Sequence, residues 1–172
     1  MEESNQGNEF IKENAARPNF LKVISILSFI NIGFSMIGNI LQMNHGPNSA
    51  DEMLELKAEM MMNIDKFEKL DFEYGVVLTK KLITMGEILN ASMYSFVFYS
   101  ILISAIGLFG VVKMWKGFKL GFHFYIVYSL LFVSANYLFV SAEYLPSLLL
   151  FLNLFISGLF ILMYSRNLKW MK

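Results

Sequence analysis

The chain has 172 residues, of which 56% are hydrophobic, 16% aromatic and 16% charged, whereas soluble globular domains carry about 25% charged residues. That composition argues against a simple water-soluble domain. Cysteine is absent and 14 basic residues balance 14 acidic ones, which removes disulfides, thiolate metal sites and cysteine nucleophiles and leaves no net field pointing to nucleic acid.

The charges fall in blocks: seven in residues 1–22, none in 23–50, fourteen in 51–87, four in 88–164 and three in 165–172. A charge at mid-bilayer costs at least about 2.5 kcal/mol, so charge-poor apolar stretches of about 20 residues mark transmembrane helices. Residues 1–19, with Glu2, Glu3, Glu9 and Glu13, make a flexible leader. The first span, 20–43, is longer than the apolar region of a signal peptide and follows an acidic leader, so it is expected to be retained. Its Ser28, Asn31, Ser35, Gly38, Asn39 and Gln42 share an arc of about 100° when each residue turns about 100°.

Residues 44–87 form the one sizeable segment outside the spans. After Gly46-Pro47, Ser49 and Glu52 have capping-box spacing, in which the serine hydroxyl and the glutamate satisfy free backbone donors reciprocally. Met53, Leu56, Met60, Ile64, Phe67, Leu70 and Tyr74 then recur at helical intervals, with Gly75 following as a stop, which predicts an amphipathic helix over 50–74. Between Asp51 and Tyr74 stand eight acids and three lysines, the opposite of the cationic face that lets a helix lie on anionic lipid. The apolar residues Met53, Leu56, Met60, Phe67, Leu70 and Tyr74 are therefore expected to meet protein, either an outward extension of the second span or another copy of the chain. Met43, Met53, Met60, Met61, Met62, Met85 and His45 offer soft ligands for Cu(I). Regular Met-x-x-Met repeats are missing, however, and methionine is an adaptable packing residue, so no cofactor is expected.

The second span, 88–112, aligns Ser92, Ser100, Ser104, Gly107 and Gly110, residues that let helix backbones approach closely. An Asn90-Ala91-Ser92 sequon at its start has the wrong position for glycosylation. A basic loop at 113–119 carries Lys113, Lys116 and Lys119; the third span, 120–142, aligns Tyr125, Ser129 and Asn136; a turn at 143–145 holds Glu143. The fourth span, 146–165, aligns Asn153, Ser157 and Tyr164, and the tail, 166–172, adds Arg166, Lys169 and Lys172. Basic residues near span ends mark the cytoplasmic side. Both termini and the 113–119 loop are thus expected in the cytoplasm, with Trp115 and Trp170 at that interface and 44–87 outside.

The fold class that results is all-α, a polytopic membrane protein with four transmembrane helices in a bundle and an extracytoplasmic amphipathic helix between the first two. In lipid, helix contacts rely on small and polar side chains, which makes Asn31, Ser35, Asn39, Gln42, Ser100, Ser104, Tyr125, Asn136, Asn153 and Ser157 the candidates for the bundle interior. Ionisable groups within the spans, common in transporters and proton pumps, are missing. Glu143 is the one candidate functional acid, able to pair with a partner or gate an outer vestibule, or simply to snorkel to water. His45 and His123 fall on opposite sides, and no His-Glu-x-x-His, Gly-x-Ser-x-Gly or phosphate-loop pattern is present, so no catalytic constellation supports an enzyme. The leading expectation is an interaction, accessory or structural membrane subunit that uses the acidic outer segment. Its partners would be the lipid bilayer and either a second copy or another membrane protein. The alternative is a small-solute channel or transporter with an Asn/Ser-lined path.

The run Arg17-Pro18-Asn19-Phe20-Leu21-Lys22-Val23-Ile24-Ser25-Ile26-Leu27, the helical insertion between spans one and two, and the Lys116-Gly117-Phe118 entry to span three together resemble an uncharacterised bacterial four-span integral membrane protein family. That resemblance implies a bacterial inner-membrane location and brings no activity or site with it. Claudin-like proteins share the large first outer loop, but their Trp and paired-Cys signature is absent.

Overall fold

The computed structural model describes residues 17–172; the leader, apart from residues 17–19, lies outside the described residues. Among these are six α-helices and one short 3-10 turn, with no strand. The helices are α1 (Asn19–His45), α2 (Ala50–Lys69), α3 (Glu73–Ala91), α4 (Met93–Trp115), α5 (Leu120–Phe139) and α6 (Ser147–Ser165), and the 3-10 turn Ala142–Tyr144 joins α5 to α6. Four of them, α1, α4, α5 and α6, are long and apolar enough to cross a membrane.

Several boundaries differ from those expected. The segment 44–87 holds two helices rather than one over 50–74, because the chain reverses at residues 70–72. There Asp71 adopts φ 53°, a left-handed conformation that aspartate tolerates better than most residues. The Phe67 carbonyl accepts from both the Leu70 and Phe72 amides, at 3.2 and 2.9 Å. Gly75, expected as a stop, lies in the first turn of α3, where a Cβ would strike the rings of Phe72 and Phe67. The expected outward extension of the second span exists as α3 but is a separate helix, interrupted at Ser92 (φ −107°, ψ 19°). The membrane-length helix therefore starts at Met93 rather than at 88. At the end of α5, Val140 turns to extended geometry, so that helix stops three residues short of 142. Pro146 caps α6 and holds Leu145 extended, as the residue before a proline prefers.

Packing is strongest between α4 and α5, where two glycines bring the backbones together. A Cβ added at Gly121 would stand 2.5 Å from both the Gly110 carbonyl oxygen and the Met114 nitrogen, and one at Gly107 would sit 2.7 Å from the Tyr128 ring. α1 lies along α4, and Leu21, Ile24, Ile32, Ile103, Val111, Met114, Tyr125 and Tyr128 form a common core. α6 is peripheral, since Tyr164 is its one buried residue. Its ties to α1 lie at one end: the Tyr164 hydroxyl donates to Ser28 Oγ at 2.9 Å, with the Ile24 carbonyl 3.3 Å away, and Arg166 stands over the Phe20 ring.

That same end carries the basic residues and is tightly closed. The Lys119 amide donates to the Lys172 carbonyl and the Lys172 amide to the Gly117 carbonyl, at 2.9 and 2.7 Å. Gly117 takes φ 87°, with Trp170 within 3.3 Å of where a Cβ would be. Arg17 donates to the Trp115 carbonyl at 3.0 Å and lies 3.8 Å from the centre of its ring. Overpacking at a close helix contact costs about 1–3 kcal/mol. Gly121→Leu is accordingly expected to lower the unfolding midpoint of the detergent-solubilised chain by several degrees. Gly33→Ala and Gly158→Ala, where an added Cβ meets nothing within 4 Å, should leave the midpoint unchanged.

Candidate functional site

Two features stand out beyond the packed helices: the α2–α3 hairpin with the space beneath it, and a polar cavity inside the bundle. The hairpin starts from a complete capping box. The Glu52 amide donates to Ser49 Oγ at 3.3 Å, and the Ser49 amide donates to the Glu52 carboxylate at 2.7 Å. Hydrogen bonds from Ser49, backbone first and then hydroxyl, together with nearby His45, hold the Glu52 carboxyl below its ordinary range.

The hairpin is then tied down at its base. The Asn90 side chain clasps the Asn48 backbone, accepting from its amide at 2.8 Å and donating to its carbonyl at 3.0 Å. Lys57 pairs with Glu87 at 2.8 Å across α2 and α3; both side chains are about half exposed, so the pair contributes at most about 1 kcal/mol. Lys81 reaches the Leu145 carbonyl at 3.4 Å, which leans α3 over the α5–α6 connection. There the exposed Glu143 carboxylate, accepting from the Tyr144 phenol and repelling its anion, raises that phenol above its ordinary range.

The expected apolar set divides between the inside and the tip of the hairpin. Met53, Leu56 and Met60 line a cavity of about 270 Å³ between α2, α3 and the start of α4. Phe67 meets Phe72 edge-on at 5.5 Å, and Leu70 and Tyr74 are exposed at the reversal. The opposite side of α2 displays Asp51, Leu54, Glu55, Met62 and Asp65, all exposed.

The second cavity, about 280 Å³, lies among α1, α4, α5 and α6. It brings together six of the ten polar residues singled out in the spans: Ser35, Asn39, Ser100, Ser104, Asn136 and Asn153. Gln42 instead lines the cavity under the hairpin, and Asn31 is exposed on α1. Tyr125 belongs to a buried aromatic group, its ring 4.8 Å from that of Tyr164 and 5.5 Å from that of Tyr128. Ser157 is half-buried on α6, between Asn153 and Tyr164. The two cavities share Asn39 and Phe96 in their walls. The Asn48–Asn90 clasp had no signal in the sequence, since its partners are 42 residues apart. The contact of Tyr164 with Ser28 could have been suspected from the alignment of both residues with the polar stripes of their helices.

Comparison of the chain with family models, curated proteins and solved structures finds no match.

Asn90→Ala removes both bonds of the clasp. Amide exchange in residues 46–52 is then expected to speed by an amount equivalent to about 1–2 kcal/mol of local stability. For Glu52, whose folded pKa is depressed, the stabilisation is fully present above the ordinary carboxyl range and is lost as pH falls through the lowered value. Exchange in the first turn of α2, corrected for its intrinsic pH dependence, should therefore rise on acidification in the native chain and show no such step in Glu52→Ala.

Proposed function

We propose that the protein is a multi-pass integral membrane protein of the bacterial inner membrane, acting as an interaction or accessory subunit that presents the α2–α3 hairpin outside the membrane. Both termini and the 113–119 loop lie in the cytoplasm. The clustering of Arg17, Lys113, Lys116, Lys119, Arg166, Lys169 and Lys172 at one end of the bundle, opposite the hairpin, supports that orientation, because basic residues near span ends favour the cytoplasmic side.

One observation carries the functional reading. The hairpin is capped and clasped to the bundle, yet its far side sets Leu54 and Met62, 64% and 56% exposed, among Asp51, Glu55 and Asp65. We take this outward face, with exposed apolar side chains among charges, as the contact site for another protein, and its acids select a partner with a basic rim. The partner is a second copy of the chain or another membrane protein. The alternative reading, a channel or transporter for a small solute, is favoured by the polar cavity. The Tyr164–Ser28 contact separates that cavity from the basic end, which suits a pocket better than a path.

A photo-crosslinking residue at Met62 is expected to yield a discrete adduct in intact membranes, lost when Glu55 and Asp65 become lysine, whereas one at Leu82, facing the cavity beneath the hairpin, should yield none. A monomeric chain with no adduct at Met62 would contradict the reading. A tag after residue 60 should be accessible from outside spheroplasts and a tag at residue 117 should not; the reverse pattern would overturn the orientation.

A further inference from the structure

The polar cavity in the bundle is incomplete as it stands. The side-chain amides of Asn39, Asn136 and Asn153, which line it, form no hydrogen bond with any described residue. Ser100 and Ser104 direct their hydroxyl protons to the Phe96 and Ser100 carbonyls within their own helix, at 2.8 Å each, and so offer only acceptor lone pairs. Each asparagine carries two N–H donors and a carbonyl acceptor. Leaving such a group unpaired in hydrocarbon costs several kcal/mol. Three of them around one space of about 280 Å³ require a polar occupant, and that volume is at the lower end of the roughly 300–1,000 Å³ of small-molecule sites.

The walls also define the chemistry of the occupant. No ionisable side chain lines the cavity, so a charged ligand would be buried without a counter-charge, at a cost of several kcal/mol. A neutral group with both donors and acceptors fits, as hydroxyls do. Access is equally specific. Towards the basic end, Tyr164 closes on Ser28 and Ile24. Away from that contact the cavity lies between α1 and α6, where Leu148, Phe151, Leu152 and Phe155 are exposed on α6. A ligand with a compact hydroxylated head in the cavity and an apolar remainder along the exposed face of α6 satisfies both surroundings.

We propose that this cavity binds the glycerol hydroxyls of a neutral lipid of the diacylglycerol class, with its apolar part lying along the gap between α1 and α6. The proposal rests on the four helices crossing the bilayer and is independent of the hairpin's role as a recognition surface. A free polyol has the same head chemistry, and the test separates the two sources.

The full chain is reconstituted in phosphatidylethanolamine nanodiscs, with dioleoylglycerol in the discs or glycerol in the buffer, and its unfolding midpoint is measured. A photoactivatable diacylglycerol is used to map labelled peptides. Dioleoylglycerol should raise the midpoint and label α1 and α6 next to Asn39 and Asn153. The double variant Asn136→Leu/Asn153→Leu, which removes side chains making no hydrogen bond, should fold with an undiminished midpoint in plain discs and bind the lipid about tenfold more weakly, the equivalent of about 1.4 kcal/mol. If the asparagines act only as interhelical glue, the variant will instead lose stability without lipid, and the proposal fails. A shift with glycerol and none with dioleoylglycerol overturns the lipid assignment, as does an equal lipid shift in chain and variant. A chain that does not enter the discs overturns the membrane reading, and the proposal with it, before any ligand is added.

Discussion

The close approach of α4 to α5 is the contact on which the rest of the bundle is built. For helices that cross a bilayer, as proposed for these four, apolar side chains gain little from meeting one another, so association depends on van der Waals contact between backbones and on polar contacts. Gly110 and Gly121 supply the first, each occupying a position where a Cβ would collide with the backbone opposite. With α4 and α5 fixed, α1 has a surface to lie against, and Tyr164 finds its place against Ser28 and Ile24. α6 has no comparable seam of small residues facing a neighbour; its Gly158 meets nothing within 4 Å. Its ties to α1 lie at the basic end while Leu149, Leu150 and Asn153 face α5 at the other, and the space left between it and α1 is where the asparagines gather.

The hairpin obeys different rules because its residues carry the charge that the spans exclude. An isolated helix of the length of α2, 20 residues, is marginal in water, since most helical stability in proteins comes from packing. α2 gains a capping box at its start and packs Ile64, Met60 and Phe67 towards α3, while the Asn48–Asn90 clasp fixes the base. The result is an element capped at its start and clasped at its base, whose outward side remains acidic and partly apolar.

Much of this architecture is legible in the sequence, for identifiable reasons. The cost of burying charge makes the four long apolar helices visible as gaps in the charge distribution, and Ser49 with Glu52 announces the start of α2 because the capping box is a local, fixed-spacing motif. The reversal at 70–72 is not legible: the apolar period continues through Leu70 and Tyr74 across it, and the left-handed conformation of Asp71 has no mark beyond the residue type. The break at Ser92 is hidden in the same way, since the serine hydroxyl bonds to the Ile88 carbonyl and continues the pattern of a helix. Polar periodicity located the residues around the inner cavity, Ser35, Asn39, Ser100, Ser104, Asn136 and Asn153. It could not say whether they bond to one another or face a void, because that depends on how far apart the helices stand. Asn31, on the same stripe, is exposed and lies outside the cavity, and Ser35 is exposed at its edge.

The central claim is that α6 is held to α1 at the basic end and stands apart from it at the hairpin end, leaving the asparagine cavity between them. The chain lacks cysteine, so pairs of spin labels can be placed by single substitutions at exposed positions. Pulsed electron resonance on Leu27→Cys/Leu162→Cys and on Leu41→Cys/Phe151→Cys in nanodiscs measures the two ends directly. A narrow, short distance for the first pair and a longer, broader one for the second is the predicted result. Equally short and narrow distances at both ends would mean that α6 packs along its whole length and that the cavity does not exist.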